Sequence, residues 1–276
     1  MTVLRIYWTQ PQPWSPKVPD ALRVLIMRPV HQSEPLMRAC RLAGFDPISL
    51  PTLEIQPVVL APLANTPASS PAGAPSQGLA IFTSVNAVLH ADQLAPLPWP
   101  VPAIGIGPAT HAALKHRNQE TAWPPAAPYT SESLARRLLD GHSINRDTGV
   151  NIITGENGRG HLADQLERSG FPVSVHAVYR RRLPDHDHKV VQGRLDPVPD
   201  IICVPSNQAL DNLLTLAGDA GAALRDVPLV LNSERAAEHA RKCGFRAGML
   251  VACAAGDQGQ LQALSHWRDE QHTSAG

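Results

Sequence analysis

The chain has 276 residues, room for one large domain or two modest ones, and its 43% hydrophobic content excludes a disordered chain. Lys and Arg (24) balance Asp and Glu (24), so net charge gives no general pull toward nucleic acid. No apolar run approaches the ~18 residues of a membrane span. The four cysteines (Cys40, Cys203, Cys243, Cys253) form no CxxC pair and read as reduced thiols of a cytoplasmic protein.

Residues 1–21 read as a disordered extension: Trp8, Trp14 and four prolines occur there without the apolar stretch or cleavage site of a secretory signal. The last eight residues, 269–276, read as a frayed tail. The first β-rich run is 23–28 (RVLIMR). It is followed by a helix over 33–43, a strand over 79–83, a helix over 85–94, a strand over 102–107 and a helix over 109–117. A Pro/Ala/Ser-rich loop at 61–78 interrupts the series.

A second β-rich run, 150–155 (VNIITG), restarts it. Leu36, Cys40, Gly44 and Phe45 match Leu162, Leu166, Gly170 and Phe171, each pair 126 positions apart. Glycine just past a helix takes the left-handed conformation that stops it, so both helices are expected to end by one mechanism. Residues 81–87 (IFTSVNA) match 203–209 (CVPSNQA) at an offset of 122, and Val101-Pro102 matches Val227-Pro228 at 126 again. The slip fits the longer 61–78 loop in the first copy. The chain thus reads as a duplicated unit. Its alternating strands and helices imply an α/β fold of two similar parallel-sheet domains with a cleft between them.

In open parallel sheets, ligands bind beyond the carboxyl ends of the strands. Those positions here hold Arg28; Thr83, Ser84 and Asn86; Gly107 and Thr110; Gly155, Gly158 and Arg159; Ser206, Asn207 and Ser233. Any one Ser, Thr or Asn is explained as a helix N-cap. As a set on both copies, with free helix N-termini, they offer donors to a large polyanion. Other motifs are weaker. Residues 154–160 (TGENGRG) lack the Lys-Ser/Thr of a phosphate loop and the GxGxxG of a dinucleotide site. Residues 185–188 (DHDH) have no third ligand at useful spacing and read as a solvated turn, so no metal is expected.

Tyr179 stands where the first copy has Leu53. A phenol can serve as a general acid; a strand tyrosine packing half-buried is the alternative. Arg180, Arg181 and Arg182 follow and alternate faces along a strand, so some can point toward an anion.

The order and spacing of VLIMRP, Leu50-Pro51, IFTSVNAV, GIGPAT and Val178-Tyr179-Arg180 resemble the uroporphyrinogen-III synthase family, from about residue 23 to 264. The second copy departs from the family pattern at CVPSNQA and at Asn232-Ser233-Glu234-Arg235. The resemblance implies one discontinuous α/β domain (22–49 plus 184–267), a second (58–175) and a two-stranded β-ladder between them (50–57 against 176–183). It implies a cofactor-independent lyase acting on hydroxymethylbilane, a linear tetrapyrrole with eight carboxylates, in heme biosynthesis. Water is lost to give an azafulvene, and a spiro intermediate then inverts ring D as the macrocycle closes. By this resemblance Tyr179 is the acid. Arg28, Thr83, Ser84, Asn86, Thr110, Gly155, Gly158, Arg159, Ser206 and Ser233 hold the substrate, and a monomer with no nucleic-acid or membrane partner is expected. A non-catalytic two-domain binder of tetrapyrroles or other polyanions is the competing reading; it needs no Tyr179.

Overall fold

The computed structural model describes residues 5–7, 21–58, 78–140, 144–156, 158, 160–254 and 256–274. In chain order the first elements are β1 (Arg5–Tyr7), β2 (Arg23–Ile26), α1 (Val30–Leu42), β3 (Asp46–Ser49) and β4 (Glu54–Pro57). The middle of the chain gives β5 (Leu79–Phe82), α2 (Val85–Leu94), β6 (Ala103–Gly105), α3 (Pro108–Lys115), α4 (Ser131–Asp140), β7 (Val150–Gly155), α5 (His161–Arg168) and β8 (Val173–Arg182). The remainder gives α6 (His188–Leu195), β9 (Ile201–Val204), α7 (Asn207–Ala217), α8 (Gly221–Leu224), β10 (Leu229–Leu231), α9 (Glu234–Lys242), β11 (Met249–Val251) and α10 (Asp257–Ser274).

The chain divides into two compact units, Met1–Glu54 with Leu183–Gly276, and Ile55–Arg182. The first holds a six-stranded sheet in the order β1-β11-β10-β9-β2-β3; the second holds five strands in the order β4-β8-β7-β5-β6. Every position of β5, β9 and β10 is buried, as expected for parallel strands covered by helices on both faces. The parallel runs β10-β9-β2-β3 and β6-β5-β7-β8 correspond strand for strand under the sequence offsets. Each sheet therefore combines strands from both halves of the sequence. The helices that follow keep the correspondence: α4 begins at Ser131 and α10 at Asp257, 126 positions on.

Both expected glycine stops are present, and a third accompanies them. Gly44, Gly170 and Gly244 have φ of 82°, 88° and 88°. In each case the following phenylalanine N–H donates back to the last helical turn: Phe45 to Cys40 O, Phe171 to Leu166 O and Phe245 to Ala240 O. All three rings are buried, completing the hydrophobic contact of this cap.

Three local expectations are corrected. The first helix starts at Val30 rather than 33, because Pro29 presets the entry and its carbonyl takes the Gln32 N–H at 2.8 Å; Ser33 lies inside the first turn and donates to Val30 O. Within the extension expected to be disordered, Arg5–Tyr7 pairs antiparallel with β11, which would otherwise be an exposed edge with unpaired backbone groups. The DHDH segment is not a free turn: Asp187 caps α6 by accepting from Lys189 N at 2.7 Å, and His186 Nε2 lies 2.6 Å from Pro51 O. Within the segments 50–57 and 176–183, β4 and β8 are neighbours in the second sheet, and the residues just before β4 belong to the first unit, where Leu50 and Thr52 donate to Ile26 O and Met27 O.

Trp267 on α10, 2% exposed, packs with Val24, Ile26, Leu36 and Leu264 against the first sheet. Trp267→Ala is expected to cost about 3–5 kcal/mol, read as a lower denaturation midpoint. In the second unit, His176 on β8 is half-buried, and its Nε2 lies 3.0 Å from Asn151 Oδ1 on β7. Burial lowers its pKa from the ordinary 6.5. The unfolded chain thus takes up this proton at a higher pH than the folded one. The contribution is complete above about pH 6.5 and is lost as pH falls through the window below it. His176→Gln should flatten the fall in melting temperature as pH drops below 6.5, relative to wild type; an unchanged slope would contradict this origin.

Candidate functional site

In the second unit, the carboxyl ends of β5, β7 and β8 bring Thr83, Ser84, Thr154, Gly155 and Tyr179 together. After β5 the chain turns extended at Ser84 (φ −161°, ψ 165°), whose Oγ accepts the Ala87 N–H at 3.1 Å and starts α2. The same Oγ lies 3.2 Å from the Tyr179 hydroxyl. Thr83 Oγ1 donates toward Ile153 O at 3.3 Å and lies 3.0 Å from Thr154 Oγ1, fastening the end of β5 to that of β7.

Tyr179 reaches this position through a bulge. β7 and β8 run in register to Thr154↔Ala177, and then Gly155 pairs with Tyr179, leaving Val178 as the extra residue. An inserted residue breaks the inside–outside alternation, so Val178 and Tyr179 are both buried in succession. Tyr179 is 3% exposed and packs with Phe82, Ala87, Val88 and Ala91. Its ring lies directly on Gly155. A Cβ there would stand 2.6 Å from Tyr179 Cζ, so the position admits only glycine while the ring keeps its place.

Two further side chains border the ring. His90 on α2 stacks on it with centroids 5.7 Å apart, and the guanidinium of Arg181 lies 5.9 Å from its centroid. Arg181 is exposed, and its Nη2 approaches the Tyr179 hydroxyl at 3.5 Å. Thus, of the three arginines after Tyr179, Arg181 addresses the phenol, while Arg180 Nε reaches Gln56 Oε1 at 3.4 Å.

The other expected residues of this unit take supporting positions. Asn86 is half-buried in the first turn of α2. Thr110 is 5% exposed in the first turn of α3, at the end of β6 beside β5. Gly158 follows the end of β7, where a Cβ would press on Thr154 Oγ1 at 2.7 Å. Arg159 lies outside the described residues.

In the first unit, Ser206 and Ser233 repeat the Ser84 geometry, capping α7 and α9 by accepting from Ala209 N at 3.2 Å and Ala236 N at 3.3 Å. Of the three capping serines, Ser84 also meets a phenol. Arg28 pairs with Asp257 and donates to Gln260 Oε1 at 2.7 Å, and Gln260 in turn donates to Asn232 Oδ1 at 3.2 Å. Its charge is therefore matched within its own unit. Burial, with Asp257 adding to it, pushes the nearby Cys40 thiol up to about 11, and burial raises Cys203 as well. Both remain protonated, which excludes a thiolate nucleophile there.

His90 and the seating role of Gly155 are the contributions that sequence reasoning missed. A glycine ending an otherwise β-branched run (VNIITG) is the signal that marked the close approach.

Residues 34–251 match the family described as uroporphyrinogen-III synthase HemD. The fold is similar to that of a mutant uroporphyrinogen III synthase from Thermus thermophilus, with a TM-score of 0.56 at 17% identity, covering 92% of this chain and 100% of that one. It is also similar to uroporphyrinogen-III synthetase from Helicobacter pylori, with a TM-score of 0.59 at 14% identity, covering 89% and 99%.

Proposed function

The chain belongs to the uroporphyrinogen-III synthase family, and from that membership and the geometry around Tyr179 we propose the reaction it carries out: dehydration and closure of hydroxymethylbilane to uroporphyrinogen III, with ring D inverted. The observation that carries the reading is the placement of the Tyr179 hydroxyl between Ser84 Oγ and Arg181 at the ligand-binding edge of a parallel sheet.

In this reading Tyr179 protonates the departing hydroxyl while the adjacent pyrrole nitrogen supplies the electron pair that expels it. The products are water and an N-protonated azafulvene, which becomes the neutral azafulvene as its pyrrole N–H proton passes to the phenolate and restores Tyr179. Arg181 offsets the charge left on the phenol oxygen, and Ser84 orients the phenol for the transfer. The bond breaks heterolytically and the conversion is redox-neutral overall, and Tyr179 supplies the acid, so the proposed step calls for neither redox cofactor nor metal. We therefore class the protein as a hydro-lyase, and we propose separately that it acts as a monomer in the cytoplasm.

Selecting the inverted isomer is a matter of holding a flexible chain in one folded pose. Arg182, Thr83, Asn86, Thr110 and the backbone N–H of Gly155 are the proposed carboxylate contacts in the second unit, while Gly158 shapes the turn beside them by donating its own N–H to Gly155 O at 3.1 Å. Ser206 and Ser233 are those in the first, with Arg159 as a further cation. Arg28, already paired with Asp257, has less charge to give. The strand-for-strand correspondence of the two sheets supports reading the chain as an internal duplication, and the two crossings near residues 54 and 183 support a discontinuous domain joined to a continuous one.

The rate at which hydroxymethylbilane disappears tests the proposal. Consumption proportional to enzyme and above the spontaneous rate is expected. Tight binding with no acceleration would favour the non-catalytic binder instead.

A further inference from the structure

We propose that Asp211, His239 and Cys243 form a binding site for a divalent cation of the zinc type, which ties α7 to α9. The site lies wholly in the first unit, and Tyr179 plays no part in it. Asp211 sits on α7, His239 on the last turn of α9, and Cys243 caps that helix. One ligand atom from each residue falls within 4.8 Å of the other two.

The distances are nearly those of a coordination shell. Bonds of about 2.0–2.3 Å to zinc give tetrahedral edges of about 3.3–3.7 Å. Cys243 Sγ lies 3.5 Å from His239 Nε2 and 3.6 Å from Asp211 Oδ1, so two edges already fit. The third, His239 Nε2 to Asp211 Oδ1, is 2.7 Å. It must open by roughly half an ångström, which the half-exposed Asp211 side chain can supply by rotating. Water completes the shell as fourth ligand. A thiol, an imidazole and one carboxylate select zinc over calcium or magnesium, which take oxygen ligands.

Electrostatics favours a cation over the other use of a Cys–His–Asp group. The Asp211 carboxylate lies 3.6 Å from Cys243 Sγ, so a thiolate nucleophile there would sit against a negative charge. A dication reverses that balance: it neutralises carboxylate and thiolate together, with the thiol proton released to solvent. The partial negative charge at the end of α9 acts in the same direction. Arg225 opposes it in part, since its Nε donates to the Cys243 carbonyl at 3.0 Å.

The test titrates the metal-free, untagged full chain with Co²⁺ and then displaces it with Zn²⁺. One equivalent of Co²⁺ should bind with a thiolate-to-cobalt charge-transfer band, and Zn²⁺ should abolish that band. Cys243→Ser should eliminate the band. Asp211→Asn, at an exposed position that leaves folding unaffected, should keep the band but weaken Zn²⁺ by at least about tenfold, the lower bound for even an outer partner. Cys253→Ser should change nothing. Absence of the band in wild type, its loss in Cys253→Ser, or an unchanged Zn²⁺ affinity in Asp211→Asn would overturn the proposal.

Discussion

Tyr179→Phe is expected to lower kcat by roughly tenfold to a thousandfold while moving the melting temperature little. The magnitude is that of one general acid, usually about 10²–10⁴-fold, reduced because water can replace the donor in an intrinsically easy dehydration. The ring keeps its seat on Gly155 and its stack with His90, so packing is preserved. What is lost is the 3.2 Å contact with Ser84 and the 3.5 Å approach of Arg181 Nη2, and Ser84 retains its Ala87 N–H. A neutral hydrogen bond is worth about 0.5–1.5 kcal/mol, which bounds the stability change. The product that forms should still be the type III isomer, because the residues holding the carboxylates select the pose. Thr110→Ala should cost much less activity. Steady-state kinetics and thermal denaturation of one sample decide the matter; a fully active, normally stable Phe variant would leave Tyr179 a packing residue.

Gly155→Ala should harm both activity and stability. The new Cβ would meet Tyr179 at Cζ (2.6 Å), Cε2 (2.7 Å) and the hydroxyl (3.0 Å), so the ring must leave its position. Overpacking of this kind costs about 1–3 kcal/mol. A misplacement of about 1 Å can cost about a hundredfold in rate. If displacement of the phenol is the cause, adding Tyr179→Phe to Gly155→Ala should cost far less than the product of the two single effects. Gly193→Ala serves as the control, since nothing lies within 4 Å of a Cβ there and the position is inside α6. It should stabilise by about 0.5–1 kcal/mol. A multiplicative double variant would mean that Gly155 acts by another route.

The regular parts of this fold are legible because their physics is local. Buried strands such as LAIF and IICV announce themselves as unbroken apolar runs, and Gly-Phe marks a helix stop wherever it occurs. The third stop at Gly244 left no trace in the repeat, since Asn118-Gln119 stands 126 positions before Gly244-Phe245. Non-local features left no such trace. The bulge at Val178 depends on how β7 and β8 align, and without it the burial of Tyr179 does not follow from alternation. Ser84, Ser206 and Ser233 are indistinguishable as sequence and as caps; the Tyr179 hydroxyl beside Ser84 distinguishes it. The pairing of Arg28 with Asp257 spans 229 positions, and the meeting of Asp211 with His239 needs two helices to pack. Such contacts are products of tertiary structure.

The isomer composition of the product tests the central claim most directly. Freshly prepared hydroxymethylbilane is incubated with and without the protein, and the oxidised products are separated into the type I and type III series. The account predicts type III as the dominant product with protein and type I without it. A type I excess equal to that of the protein-free control would contradict it.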